Sequence, residues 1–266
     1  MTKFNQLLNW FENKGTVIVS LSGGVDSALV AYAAFNKLKN SALAITANYK
    51  TLSKEELDSA KKVCLEIGIK HIIIDYNELE NENFVSNDKN RCFYCRTELA
   101  KHLNEYAKRY DAKVIVDGTN LDDLGDYRPG IKALMDNGIQ SPLVETNFTK
   151  NQVREEAKRV GLSVYERPSN SCLASRIPWG QRVTAEKLAR IEVAENIVKS
   201  LTDAKQVRVR DLDRVAKIEV GSNELLLLSE QSILDQIIYR LKQIGFDSVI
   251  VDPEGYKPGK INVIAD

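Results

Sequence analysis

The chain predicts an α/β fold, a parallel sheet with helices on both faces, followed by a smaller α+β domain. From Gly15 onward, short β-branched runs alternate with stretches of helical periodicity, which is the pattern of strand–helix–strand units. After Trp179-Gly180 the alternation gives way to one long helical stretch and two adjacent strands. Size permits this reading, because 266 residues with 43% hydrophobic content bury enough surface for one large or two unequal domains. The expected division is 1–180 for the parallel-sheet domain and 181–266 for the smaller one.

The strands expected in the first domain are residues 16–21 (TVIVSL), 42–48, 71–76, 113–118 and a shorter piece at 141–143. Each is an apolar or β-branched run bounded by turn residues. Helices are expected at 27–38, 53–68, 97–110, 131–137 and 149–160. Thr149 is a candidate N-cap for the last of these, and Gly161 closes it. In the second domain the pattern predicts a helix over 185–201 and strands at 207–212 and 215–220. Helices near 224–228 and 232–244 follow, then a last strand at 248–251. Residues 252–260 (DPEGYKPGK) read as surface chain.

Lys and Arg number 37 against 37 Asp and Glu, so no net charge draws the chain to nucleic acid. No apolar run approaches the ~18–20 residues of a membrane span, and residues 1–10 lack the features of a signal peptide. The expectation is a cytoplasmic protein with neither nucleic acid nor membrane as partner. A chain of this size in that compartment uses its four cysteines as buried thiols, metal ligands or reactive sulfurs rather than as disulfides. Cys64 recurs with Leu57, Ala60, Val63 and Ile67 at helical spacing and reads as a core residue. Cys92 and Cys95 lie in RCFYCR, just before a helical pattern that begins about Thr97, where a metal knuckle would sit. Cys172 stands alone after a proline.

The strongest motif is residues 20–27 (SLSGGVDS), between an apolar strand and a helix. Gly23 and Gly24 allow a tight turn whose N–H groups point at an anion on the helix N-terminus, where Val25 follows. Ser22 and Ser27 add hydroxyl donors, and Asp26 is a candidate Mg²⁺ ligand. The lysine of a Walker A loop is absent. Such a turn suits the pyrophosphate half of ATP and a reaction that splits the α–β bond. The octet resembles the PP-loop ATP pyrophosphatase superfamily. Residues 117–130 (DGTNLDDLGDYRPG) and 168–180 (PSNSCLASRIPWG) narrow the resemblance to the LarE family, the ATP-dependent sulfur transferases that build a nickel-pincer nucleotide cofactor. Residues 207–210 (VRVR) and 216–220 (AKIEV) extend it over nearly the whole chain.

The resemblance implies adenylation of a carboxylate on a pyridinium biscarboxylic acid mononucleotide, then replacement of AMP by sulfur. It implies a small-molecule nucleotide substrate, a homo-oligomer with hexamers described, and a sulfide or cysteine-desulfurase source. Gly118, Thr119 and Asn120 end a strand on the side where open α/β sheets bind ligands, so they are candidates for the adenosine. Asp122, Asp123 and Asp126 offer oxygen to Mg²⁺, with metal roles for one or two of them, and Arg128 offers a fork to phosphate. Strand alternation puts Arg208 and Arg210 on one face. The resemblance makes them, with Arg176 and Glu219, candidates for the substrate's phosphate. Arg167 and Arg176 bracket Cys172, and either would serve as the cation that holds a thiolate.

Three sulfur readings remain open. Cys92, Cys95 and Cys172 fit a 4Fe-4S cluster with one iron unanchored, as in the cluster-containing subgroup of the resembled family. Alternatively, Cys172 gives up its own sulfur and becomes dehydroalanine. In the third, the C-x-x-C is a Zn²⁺ knuckle, with His102 two helical turns beyond Cys95; His71, the other histidine, opens a strand. Functional alternatives are a PP-loop tRNA thiolase and a non-catalytic nucleotide- or metal-sensing module.

Overall fold

The computed structural model describes residues 2–125 and 128–257, so the candidate Asp126 lies outside the described residues. The chain divides into two compact units, Met1–Glu78 with Asn90–Asn170, and Leu79–Lys89 with Ser171–Asp266. Its elements run α1 (Lys3–Trp10), β1 (Val17–Ser20), α2 (Val25–Leu38), β2 (Ala42–Asn48), α3 (Lys54–Ile67) and β3 (Lys70–Asp75). Then come α4 (Glu82–Val85), α5 (Arg91–Arg109), β4 (Val114–Val116), α6 (Pro129–Asp136), α7 (Pro142–Glu145) and α8 (Lys150–Arg159). The remainder is α9 (Ala185–Thr202), β5 (Val207–Leu212), β6 (Val215–Val220), α10 (Gln231–Gln243) and β7 (Ser248–Val251).

In the first unit four parallel strands lie in the order β3-β2-β1-β4. Central strand β1 shows why the sheet is covered on both faces. Its side chains alternate, and the two sets join different cores. Val17 and Val19 pack with Leu29 of α2, Val63 of α3 and Val153 of α8, while Ile18 packs with Leu99 and Leu103 of α5. Helix α1, which the sequence pattern did not predict, is capped by the Thr2 hydroxyl accepting the Asn5 N–H at 3.2 Å. It buries Phe4 and Leu7 in the first of these cores.

Two expected elements are corrected. Residues 141–143 form no strand, because Pro142 has no N–H for a ladder and instead opens the short helix α7. One parallel bridge, Val116 to Gln140, is all the pairing found there among the described residues. Helix α5 begins at Arg91 rather than Thr97, so Cys92 and Cys95 sit inside its first two turns and not in a loop ahead of it.

The second unit holds a three-stranded sheet, β5-β6-β7, antiparallel between β5 and β6 and parallel between β6 and β7. Val207, Val209, Ile218 and Val220 face Val198 of α9 and Leu241 of α10. The expected helix near 224–228 is a single 3₁₀ turn, Leu225–Leu228. Among the described residues no helix is long and apolar enough to cross a membrane.

Candidate functional site

Strand β1 delivers residues 21–24 to the start of α2, at the end of the sheet where open α/β folds bind ligands. Gly23 takes φ +83, and a Cβ there would stand 2.5 Å from the Glu56 carbonyl oxygen. No other residue fits without moving α3. The Gly23 carbonyl accepts from Ser59 Oγ at 2.8 Å and from Arg167 Nη1 at 3.3 Å, which fixes the peptide's orientation. Gly24 is the N-cap of α2 and supplies no side-chain bond, so the first turn keeps its donors for an anion. Ser27 Oγ accepts the Ser22 N–H at 3.2 Å and donates to the Gly24 carbonyl at 3.1 Å, closing the loop on itself.

Asp26 faces the loop's other neighbours. One carboxylate oxygen accepts from Asn120 Nδ2 at 3.0 Å, and the other pairs with the Lys150 ammonium. Lys150 was not anticipated from the sequence, since 124 residues separate it from Asp26 and the Thr149 cap gave its only local signal. That cap forms, as a capping box with Gln152. Lys150 thereby occupies the first position of α8 beside a loop that has no lysine of its own. Gly118 lies where a Cβ would meet the Ser27 backbone nitrogen at 2.6 Å, so its missing side chain makes room for the start of α2. Asp117 ties this crossing by accepting from the Thr119 N–H and hydroxyl and from Ser141 Oγ. Burial raises its pKa above the ordinary carboxylate value.

The remaining acids have protein partners. Asp122 accepts the Lys150 backbone N–H at 2.8 Å, and Asp123 accepts the Asn120 N–H and pairs with Arg128. Among the described residues no group of three or more His, Cys, Asp or Glu side chains is gathered to hold a metal ion. Mg²⁺ in nucleotide sites takes one or two carboxylates plus phosphate oxygens and water, and Asp26 beside the phosphate loop fits that smaller demand.

The cysteines differ in exposure. Cys64 is buried in the core, which pushes its thiol up to about 12. Cys92 is exposed and Cys95 half-buried, three residues apart near the start of α5 and therefore neighbours on its surface. Gly130 lets α6 approach them, since a Cβ there would lie 3.3 Å from the Cys92 carbonyl oxygen. The pair supplies two thiols on one helical face, a donor set suited to iron or zinc. His102 stacks on Tyr76 with ring centroids 4.4 Å apart and has Glu105 3.6 Å from Nδ1.

In the second unit, Arg208 and Arg210 both lie over the Tyr256 ring, at 5.3 and 5.8 Å. Arg210 donates through Nε and Nη2 to Glu219 and through Nη1 to the Ser175 carbonyl at 2.9 Å. Burial, together with the charge of Arg176, pushes the Arg208 guanidinium down to about 10, so an anion beside it would be stabilised. Half-buried Cys172 leads into the 3₁₀ turn Leu173–Arg176. Arg176, expected to bind phosphate, is instead fully enclosed and donates to Glu195 and to the carbonyls of Ser171 and Cys172. Arg167, the other candidate cation for Cys172, is paired with Glu56 at 2.7 Å in the first unit.

The family model for queuosine biosynthesis protein QueC matches residues 16–93, the stretch from β1 into the start of α5. An uncharacterised Synechocystis protein is 38% identical over 98% of this chain and 97% of its own. The pyridinium-3,5-bisthiocarboxylic acid mononucleotide synthase of Lactiplantibacillus plantarum is 30% identical over 98% of this chain and 94% of its own. An uncharacterised Methanocaldococcus jannaschii protein is 28% identical over 95% of both chains. A phosphate loop built on glycine backbone, with full-length identity to a synthase that makes thiocarboxylates, places the chain in the LarE family of PP-loop enzymes, as an ATP-dependent sulfurtransferase.

Proposed function

We propose that the chain adenylates a carboxylate of pyridinium-3,5-biscarboxylic acid mononucleotide and converts it to a thiocarboxylate. The observation that carries this reading is the arginine pair. Arg208 and Arg210 are buried beside one aromatic ring, and Arg210 also holds the Ser175 carbonyl three residues after Cys172. A nucleotide's phosphate has charge for both guanidiniums, and its ring has a face for Tyr256. In the first step a substrate carboxylate oxygen attacks the α-phosphorus of ATP and pyrophosphate leaves. The backbone donors of residues 22–25 take up the pyrophosphate charge, and Lys150 is the cation assigned to it in place of a Walker lysine. Mg²⁺, held by Asp26, would neutralise phosphate charge. In the second step sulfur attacks the acyl carbon and AMP leaves.

For the sulfur, Cys92, Cys95 and Cys172 are the thiols assigned to a 4Fe-4S cluster, which when bound would supply hydrosulfide at its unanchored iron. The two thiols on one face of α5 support this. The sacrificial route is the second reading, favoured by the guanidinium next to Cys172. There Sγ attacks the acyl adenylate and AMP leaves. The Cys172 Cα proton passes to a base as the Cβ–Sγ bond breaks, giving the thiocarboxylate and dehydroalanine. AMP formation that requires the dicarboxylate, with a sulfur-containing product by mass, tests the reading. Transfer RNA as the only acceptor would move the assignment to a tRNA thiolase.

A further inference from the structure

We propose that Arg176 and Glu195 are positioning residues for Cys172, acting on its main chain and not on the substrate. This rests on the reading of Cys172 as the residue that handles sulfur. Among the described residues, Arg176 is the largest of the fully enclosed side chains. Its Nε and Nη2 donate to the two oxygens of Glu195 at 2.8 and 3.1 Å. Its Nη1 donates to the carbonyls of Ser171 at 2.5 Å and Cys172 at 3.0 Å, and to the hydroxyls of Ser171 and Ser175. Its Nε and both Nη nitrogens are thereby committed to protein acceptors.

Glu195 is anchored in turn. The same Oε1 that accepts from Arg176 also accepts the Val209 N–H at 3.1 Å, and Val209 lies between Arg208 and Arg210. From the outer side, Arg210 Nη1 donates to the Ser175 carbonyl. The turn carrying Cys172 is therefore clamped from two directions by groups fixed to β5. Two consequences follow. The sulfur residue and the arginine pair share one rigid frame, the arrangement that near-attack geometry needs. A permanent cation also sits against the Cys172 carbonyl and fixes the orientation of that peptide. Burial by itself would weaken the Arg176 charge, but the Glu195 carboxylate outweighs it and holds the guanidinium pKa above its ordinary value. A lysine would carry the charge without the planar fork that spans carboxylate and carbonyls together.

The test uses the full chain purified without oxygen, with Arg176→Lys and Glu195→Gln. The second variant keeps the shape and the acceptor for Val209, and carries the test alone if the first does not fold. Substrate-dependent pyrophosphate exchange reads adenylation, product mass reads sulfur transfer, and amide hydrogen exchange of the peptide 171–176 reads the order of the turn. We expect the substrate KM in exchange to stay within about threefold of the parent. Transfer should fall on the order of a hundredfold, and the 171–176 amides should exchange faster. A raised substrate KM with transfer unchanged at saturating substrate would make Arg176 a substrate ligand and overturn the proposal. Unchanged transfer and amide exchange would overturn it too. If Cys172→Ser retains transfer, the sulfur role of Cys172 falls, while faster exchange of 171–176 in Glu195→Gln would still uphold the clamp.

Discussion

Gly23 and Gly24 are adjacent, yet a methyl group meets different surroundings at each. At Gly23 it enters a left-handed backbone and stands 2.5 Å from the Glu56 carbonyl, whereas at Gly24 φ is −85 and its nearest neighbour is Ser22 Oγ at 3.5 Å. Gly23→Ala should therefore cost roughly 1–3 kcal/mol, lowering the thermal midpoint by several degrees, and should abolish ATP-dependent AMP formation. Gly24→Ala should keep its melting temperature and lose activity only through crowding of bound phosphate. Calorimetry on the two variants separates these outcomes. Lys150 is the residue the loop motif could not announce, since its pairing with Asp26 exists only once α8 is packed. Lys150→Met should reduce adenylation by about 10²-fold with little change in melting temperature, read by pyrophosphate exchange. Adenylation at the parent rate would return Lys150 to a structural role.

At the scale of elements, the parallel sheet was legible because β-branched runs and helical runs alternate without interruption, and β1 is apolar on both faces. The start of α5 was not, because residues 91–96 (RCFYCR) follow the polar stretch Asn87–Asn90 and carry no helical periodicity of their own, while Leu99 and Leu103 further along the helix reach the core. The supposed strand at 141–143 failed on one atom, the missing N–H of Pro142. Of the candidate site, the loop and the VRVR strand were legible from local spacing, while the partners of Asp26 and the Glu195 partner of Arg176 are distant in sequence and left no pattern. One such link joins strands to the loop. His71 Nε2 lies 2.8 Å from Thr46 Oγ1, and that hydroxyl donates to the Leu21 carbonyl, so the ring serves as the donor in its neutral form. Burial, aided by the charge of Lys61, lowers the His71 pKa. The unfolded chain then takes up a proton first. The stability His71 contributes is complete above about pH 6.5 and declines as pH falls from there toward the lowered folded value. Urea unfolding of the parent should lose midpoint over that window more steeply than His71→Gln, and parallel curves would contradict the assignment.

For the whole molecule, the candidate site residues are divided between two compact units. The first carries the glycine loop, Asp26, Lys150 and the Cys92–Cys95 pair; the second carries Cys172 and the buried arginines. The proposed function assigns adenylation to the first set and the substrate's phosphate to the second. Protein purified without oxygen should hold iron and acid-labile sulfide near four each per chain, lost in Cys92→Ala, and zinc in their place would make the pair a structural knuckle. ATP-dependent sulfur transfer to a carboxylate is tested most directly by AMP and product mass after incubation with ATP and the pyridinium dicarboxylate mononucleotide, with the mass of the protein taken afterwards. AMP should form only with substrate, together with a product in which sulfur has replaced oxygen; an unchanged protein mass marks the cluster route, and loss of the elements of H₂S marks donation from Cys172. AMP formed without substrate, or a product containing no sulfur, would contradict that function.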